Sequence, residues 1–141
     1  YLERWLHKGY HRNIFKWIIR RMMLSVELKE RYDCIINALH DKKAKDLRVI
    51  DIHQLTTIAD YFIICSGTST THIKTLSDEV EQKLKEKNVN PLRREGYNSA
   101  RWVLLDYGDI VVHIFHEEDR EYYNLEHLWQ DGKTVVLDSI N

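Results

Sequence analysis

The sequence predicts an α/β (α+β) fold, a single domain in which a mixed sheet of about five strands carries helices packed on it. Three observations lead there. The stretch Trp102 to Ile114, WVLLDYGDIVVHI, consists of two nearly continuous apolar arms joined at Tyr107-Gly108, the pattern of a β-hairpin whose strands are covered on both faces. Two other segments, Leu28 to Leu39 and Ile73 to Leu84, repeat apolar residues at helical spacing. Between them lies Asp60 to Ser66, DYFIICS, apolar through its middle and rich in β-forming residues, as a central strand requires.

In chain order, Leu28, Tyr32, Ile35, Ile36 and Leu39, interleaved with Lys29, Glu30, Asp33 and Asn37, make an amphipathic first helix that gives way to the charged stretch Asp41 to Asp46. Leu47 to Ile52 is the first strand. The strand Asp60 to Ser66 stops at Gly67, and Thr68, Ser69, Thr70 and Thr71 supply N-cap hydroxyls for a second helix with the inner face Ile73, Leu76, Val80 and Leu84. Asn88 to Pro91 ends that helix, because the residue before a proline is pushed out of the helical region. Leu92 to Glu95 is a short edge strand, Gly96 and Asn98 form the bend after it, and the hairpin follows. Beyond the hairpin, Glu117 to Tyr123 and Leu125 to Trp129 are expected as short helices, Asp131-Gly132 as a turn and Val135 to Leu137 as a last strand.

Composition bounds the function. With 141 residues, 43% of them hydrophobic and 30% charged, the chain suits one soluble globular domain. Cys34 and Cys65, one in a predicted helix and one in a predicted buried strand, build neither a disulfide framework nor a four-ligand zinc site, so a reducing cytoplasm is the expected setting. No apolar run is long enough to span a membrane. The net charge of −1 conceals an asymmetry: residues 1–22 carry +5, which leaves −6 for residues 23–141. An acidic body neutralises phosphates poorly, which disfavours nucleic acid, DNA included, and favours a basic protein partner.

The segment YLERWLHKGYHRNIFKWIIRRM mixes aromatic residues with cations, and its stripe of Ile14, Trp17, Ile18 and Arg21 suits a membrane-surface helix or an RNA-binding arm. A plainer account is available. The sequence opens on Tyr1, while Met22-Met23 stand just before the first clear helix, so residues 1–22 are expected to be a basic extension outside a working domain of residues 23–141.

Spacing decides among the candidate chemistries. Cys65 to Thr71 leads from a strand end into a helix start, where free N–H groups hold anions, and Gly67, Thr68 and Ser69 are the candidate contacts. A cysteine phosphatase needs an arginine six residues after the nucleophile, and that position is Thr71. No Gly-Lys-Ser/Thr follows either, so a P-loop is excluded. A nucleotidyltransferase-like nucleotide-binding domain or enzyme using Gly67 to Thr71 needs a carboxylate pair, and Asp78, Glu79 and Glu81 imitate one only loosely from a solvated helix face. His113 and His116, three apart on a strand, point to opposite faces and do not chelate together. No metal and no cofactor is expected. Trp102, Leu104 and Asp106 share one face of their strand, with Val103, Leu105 and Tyr107 on the other. Trp102 at the strand start and Tyr107 at the turn are the candidate aromatic anchors of a protein contact.

The strings LTTIADYFIICSGTSTTHIK, EGYNSARWVLLDYGDIVVHIF and EDREYYNLEHLWQD closely resemble the ribosomal silencing factor family, also called Iojap-like, over about Leu28 to Val136. That resemblance implies a nucleotidyltransferase-like sheet without catalytic carboxylates, and a non-enzymatic regulator of translation. It implies docking on the fourteenth protein of the large ribosomal subunit, steric exclusion of the small subunit when nutrients are short, and in many members a homodimer. Carried over by motif, the partner-binding residues are Trp102, Leu104, Asp106, Tyr107, Gly108 and Asp109. Where many relatives have Arg after the GTS string this chain has Thr71, and where some have Leu at the turn it has Tyr107.

Overall fold

A computed structural model describes residues 27–51, 60–120 and 133–135. The chain forms two compact units, Tyr1–Asp33 and Cys34–Asn141. Residues 27–41 are helical (α1), and those from Cys34 onward open the second unit, where Ile35, Ile36, Ala38 and Leu39 are buried. α1 closes with Lys43 in the left-handed region (φ 61°), Lys43 N bonding the His40 carbonyl and Ala44 N reaching back to that of Leu39, which satisfies two otherwise orphaned carbonyls.

The second unit holds the sheet. Among the described residues, six strands are present against the five or so expected: β1 (Lys45–Asp51), β2 (Tyr61–Gly67), β3 (Arg93–Glu95), β4 (Trp102–Asp106), β5 (Ile110–His116) and β6 (Lys133–Val135). Their order across the sheet is β3-β4-β5-β2-β1-β6, with β2 and β5 parallel in the middle and the other neighbours antiparallel. The two central strands are the most apolar, and β5 is buried along its whole length, as a strand covered on both faces must be. β3, with three charged and exposed residues, is a short edge of the kind that resists further pairing. Of the helix expected at Glu117 to Tyr123, residues 117–119 form a turn and Arg120 is helical; residues 121–123 and the helix expected at Leu125 to Trp129 lie outside the described residues. Of the last strand expected at Val135 to Leu137, Val135 belongs to β6 and the rest lies outside the described residues.

Between β2 and β3 the chain forms α2 (Thr70–Lys85), whose buried residues are Ile73, Leu76, Ser77, Val80 and Leu84. Ser69 caps it, its hydroxyl accepting from His72 N at 3.0 Å. Its other end repeats the closure of α1, with Asn88 at φ 61°, Asn88 N bonded to the Lys85 carbonyl and Val89 N to that of Leu84. At the β2 end, a Cβ on Gly67 would lie 2.7 Å from Ile73 Cγ1, which shows that the odd-numbered positions of β2 face α2. Alternation therefore puts Phe62 and Ile64 on the opposite face, with Val111, His113 and Phe115 beside them on β5.

Candidate functional site

That opposite face carries Trp102, Leu104 and Asp106, three of the residues expected to bind a partner. Ile50, Phe62, Ile64, Val111 and Phe115 form a buried cluster, with Trp102 and Leu104 packed partly buried against it. β4 reads half-buried, buried, half-buried, buried, half-buried from Trp102 to Asp106, so Trp102, Leu104 and Asp106 share the more accessible side. Val103 and Leu105 turn to the side of α2, as the alternation requires.

Trp102 is held by two aromatic neighbours across the sheet. β4 and β5 pair Trp102 with Phe115 and Leu104 with His113, so Trp102 and His113 are diagonal neighbours. The indole stacks on Phe115 at 5.0 Å between ring centroids, and its Nε1–H donates to His113 Nδ1 at 3.1 Å. The His113 imidazole meets the edge of Phe62 at 4.8 Å. Burial lowers the His113 pKa from the ordinary 6.5 to about 4, so the ring is neutral at neutral pH, with Nδ1 as acceptor and the proton on Nε2.

This has a measurable consequence. The folded pKa lies below the unfolded one, so on acidification the unfolded chain takes up the proton first. The associated stability is complete above about pH 6.5 and is lost as pH falls toward 4, about 3 kcal/mol in all. Urea unfolding at about pH 7 and about pH 4.5 checks this: the wild type should lose more stability on acidification than His113→Phe.

Backbone devices set Trp102 in place. Gly96 sits at φ 81°, and a Cβ there would overlap the Trp102 carbonyl oxygen. Ala100 N and Ser99 Oγ both donate to the Gly96 carbonyl, which closes the 96–101 loop immediately before Trp102. Arg101 then grips Asp119 in two bonds, Nε to Oδ2 at 2.7 Å and Nη2 to Oδ1 at 3.0 Å, and these hold the Asp119 carboxyl below its ordinary pKa range. Arg120, buried, donates to the Asp46 carbonyl at 2.7 Å and to Ser66 Oγ at 2.9 Å, tying the segment after β5 to β1 and β2. None of these supports was singled out by the sequence reading. Gly96 was legible only as a bend, and the arginines only as charges.

The turn residues behave in three ways. Asp106 Oδ1 accepts from Gly108 N at 2.8 Å, and Gly108 takes φ 86°, so these two shape the turn directly. Asp109 acts through its backbone, its carbonyl accepting from Asp60 N and Tyr61 N at 2.8 and 3.0 Å, which fixes the start of β2 to the hairpin. Tyr107 corrects the sequence reading. Expected to present its ring at the turn, it is only 5% exposed, because the pleat of β4 continues through it and carries it to the side of Val103 and Leu105. Burial pushes its phenol above the ordinary pKa.

The helix start around Gly67 is filled from within. Thr68 N donates to His72 Nδ1 at 3.0 Å, His72 Nε2 bonds the Lys42 carbonyl at 2.8 Å, and the Ser69 hydroxyl is taken by His72 N. Thr68 therefore has no amide to offer an anion, and Gly67 is buried. Cys65 is buried, with its thiol pushed up to about 12 by that burial, which makes it a structural cysteine and not a nucleophile. Asp78 accepts from Tyr97, Glu81 pairs with Arg94 at 3.2 Å and Glu79 lies 3.9 Å from Lys83, so these acids are engaged along the surface of α2. Among the described residues no three His, Cys, Asp or Glu side chains converge as metal ligands, and no helix is long and apolar enough to cross a membrane.

The family model for "Ribosomal silencing factor during starvation" matches residues 25–141. The chain belongs to the ribosomal silencing factor family. Among its relatives, the ribosomal silencing factor RsfS of Halalkalibacterium halodurans is 41% identical over 112 residues, 79% of this chain and 96% of that protein. RsfS of Bacillus subtilis is 42% identical over 101 residues, 72% of this chain and 86% of that one. A crystal structure of a Bacillus halodurans protein superposes with a TM-score of 0.70 at 39% identity, covering 77% of this chain and 99% of the other.

Proposed function

We propose that residues 23–141 act in the cytoplasm as a steric blocker of ribosomal subunit joining. In this reading the half-buried row Trp102, Leu104 and Asp106, with the turn at Gly108 and Asp109 beside it, docks on the fourteenth protein of the large subunit. The bound domain then stands where the small subunit would join and represses translation when nutrients are limiting. The observation that carries the reading is the Trp102 indole, stacked on Phe115 and hydrogen-bonded to His113, yet left partly accessible on its sheet face. Rigid amphipathic aromatics in such settings are the usual anchors of protein interfaces. Membership of a family described as ribosomal silencing factors supports the choice of partner.

The charge distribution supports it as well. A body of net −6 approaching a basic ribosomal protein gains electrostatic steering that weakens with salt. A stable contact needs only about 800 Å² on each partner, and no chemistry. Tyr107 contributes from beneath, by filling the core under the turn, and not as a contact. Co-sedimentation of the purified protein with isolated large subunits tests the docking. Binding that declines as salt is raised is expected, and a protein that stays in the supernatant at low salt contradicts the reading.

A further inference from the structure

We infer that His113 is the positioning residue of the docking surface: its neutral imidazole accepts the Trp102 indole N–H and fixes the angle at which that ring is presented to the partner. This role rests on the docking reading above. His113 is an odd choice for its place. Its ring lies among Phe62, Phe115 and Leu104 with 4% exposure, a site that Phe or Leu would fill without burying a polar atom. Its Nε2 is buried and has no hydrogen-bond partner among the described residues. What Nδ1 gives in exchange is the 3.1 Å bond to Trp102.

That bond does something packing alone does not. Stacking on Phe115 at an interplanar angle of 24° restrains the indole plane but leaves it free to slide or flip about its side-chain torsions. A directional N–H acceptor removes those alternatives, because only one orientation places Nε1 on Nδ1. His113 is itself immobilised, edge-on to Phe62 and near-parallel to Phe115 at 13°, so the acceptor does not move with the indole. A side chain ordered before binding does not lose that freedom on binding. Immobilising one rotamer-rich side chain corresponds to a change in affinity of up to about tenfold.

The test uses full-length protein labelled with ¹⁵N, in which substitution of Trp102 by Phe assigns its indole resonance among the four tryptophans. In the wild type the Trp102 indole proton should resonate downfield and exchange slowly. In His113→Phe, which keeps a ring and lacks the acceptor, the resonance should move upfield, exchange should quicken, and affinity for large subunits should fall about tenfold. His113→Asn, whose carbonyl oxygen stands near the position of Nδ1, should recover much of both. In a Trp102→Phe background, where no N–H remains, His113→Phe should add no further loss. Should His113→Phe fail to fold, His113→Leu serves in its place.

An indole resonance and an affinity indifferent to His113→Phe overturn the role. So does a loss of the same size in the Trp102→Phe background, which would mark His113 as packing only. Wild-type protein that does not bind large subunits at all overturns the docking reading and this role with it. Wild-type binding that tolerates His113→Phe overturns only the role of His113.

Discussion

Replacing Trp102 by alanine should abolish co-sedimentation with large ribosomal subunits, with an affinity loss of at least about a hundredfold, equivalent to about 3 kcal/mol. The size follows from what the side chain does. Truncation removes the one large aromatic on the accessible side of β4, uncovers the buried cluster of Phe62, Val111 and Phe115, and leaves His113 Nδ1 without its donor. The fold should survive. Trp102 is half-buried at the start of its strand, and its neighbours Val103 and Leu105 keep the core on the α2 side intact, so the stability loss should be about 2 kcal/mol. Thermal unfolding measured beside the binding assay separates the two effects. Unchanged binding by a folded variant would remove Trp102 from the interface.

Gly96→Ala should be the most destabilising single-atom-group change in the 96–101 loop. Two independent penalties add: the positive φ of 81°, which a side chain disfavours by about 1 kcal/mol, and overlap of the new Cβ with the Trp102 carbonyl, which is backbone and cannot rotate aside. Relief requires moving the start of β4, and Trp102 moves with it. A total near 4 kcal/mol is expected, on the order of a 15 °C fall in melting temperature, with weakened docking alongside. Gly108→Ala is the control. It shares a positive φ, 86°, but its Cβ would meet only the Leu92 side chain at an ordinary 3.6 Å, so about 1 kcal/mol is expected. Equal losses at the two glycines would show that close approach to Trp102 is not what fixes Gly96.

The contrast between those glycines marks how far sequence reasoning reached. Strand and helix periodicities were legible because burial on one side repeats every two or about four residues, and the two sides of β4 were assigned correctly from alternation alone. Tyr107 shows two local rules in conflict. A turn position suggests exposure, while the pleat suggests burial, and the pleat prevailed because β4 continues in register through it. His113 and Trp102 were each singled out, but their partnership needs the hairpin register, in which positions 102 and 115 pair; without it the histidine reads as an isolated core residue. The loop after Cys65 reads as open to an anion because a helix start leaves backbone N–H groups free. In the folded chain His72, one helical turn on, occupies the Thr68 amide while its other nitrogen ties to Lys42, thirty residues away. Close approaches such as Gly96 on Trp102, and long-range clasps such as Arg120 on Asp46, exist only once the sheet is assembled.

In the proposed mechanism this domain acts by occupying a surface of the large subunit. Separated ribosomal subunits, allowed to reassociate and then resolved on a density gradient, test it most directly. Saturating wild-type protein should deplete the joined-ribosome peak, with the protein itself migrating with the large subunit, while Trp102→Ala should leave the peak intact. A joined peak unchanged by saturating wild-type protein would contradict the account.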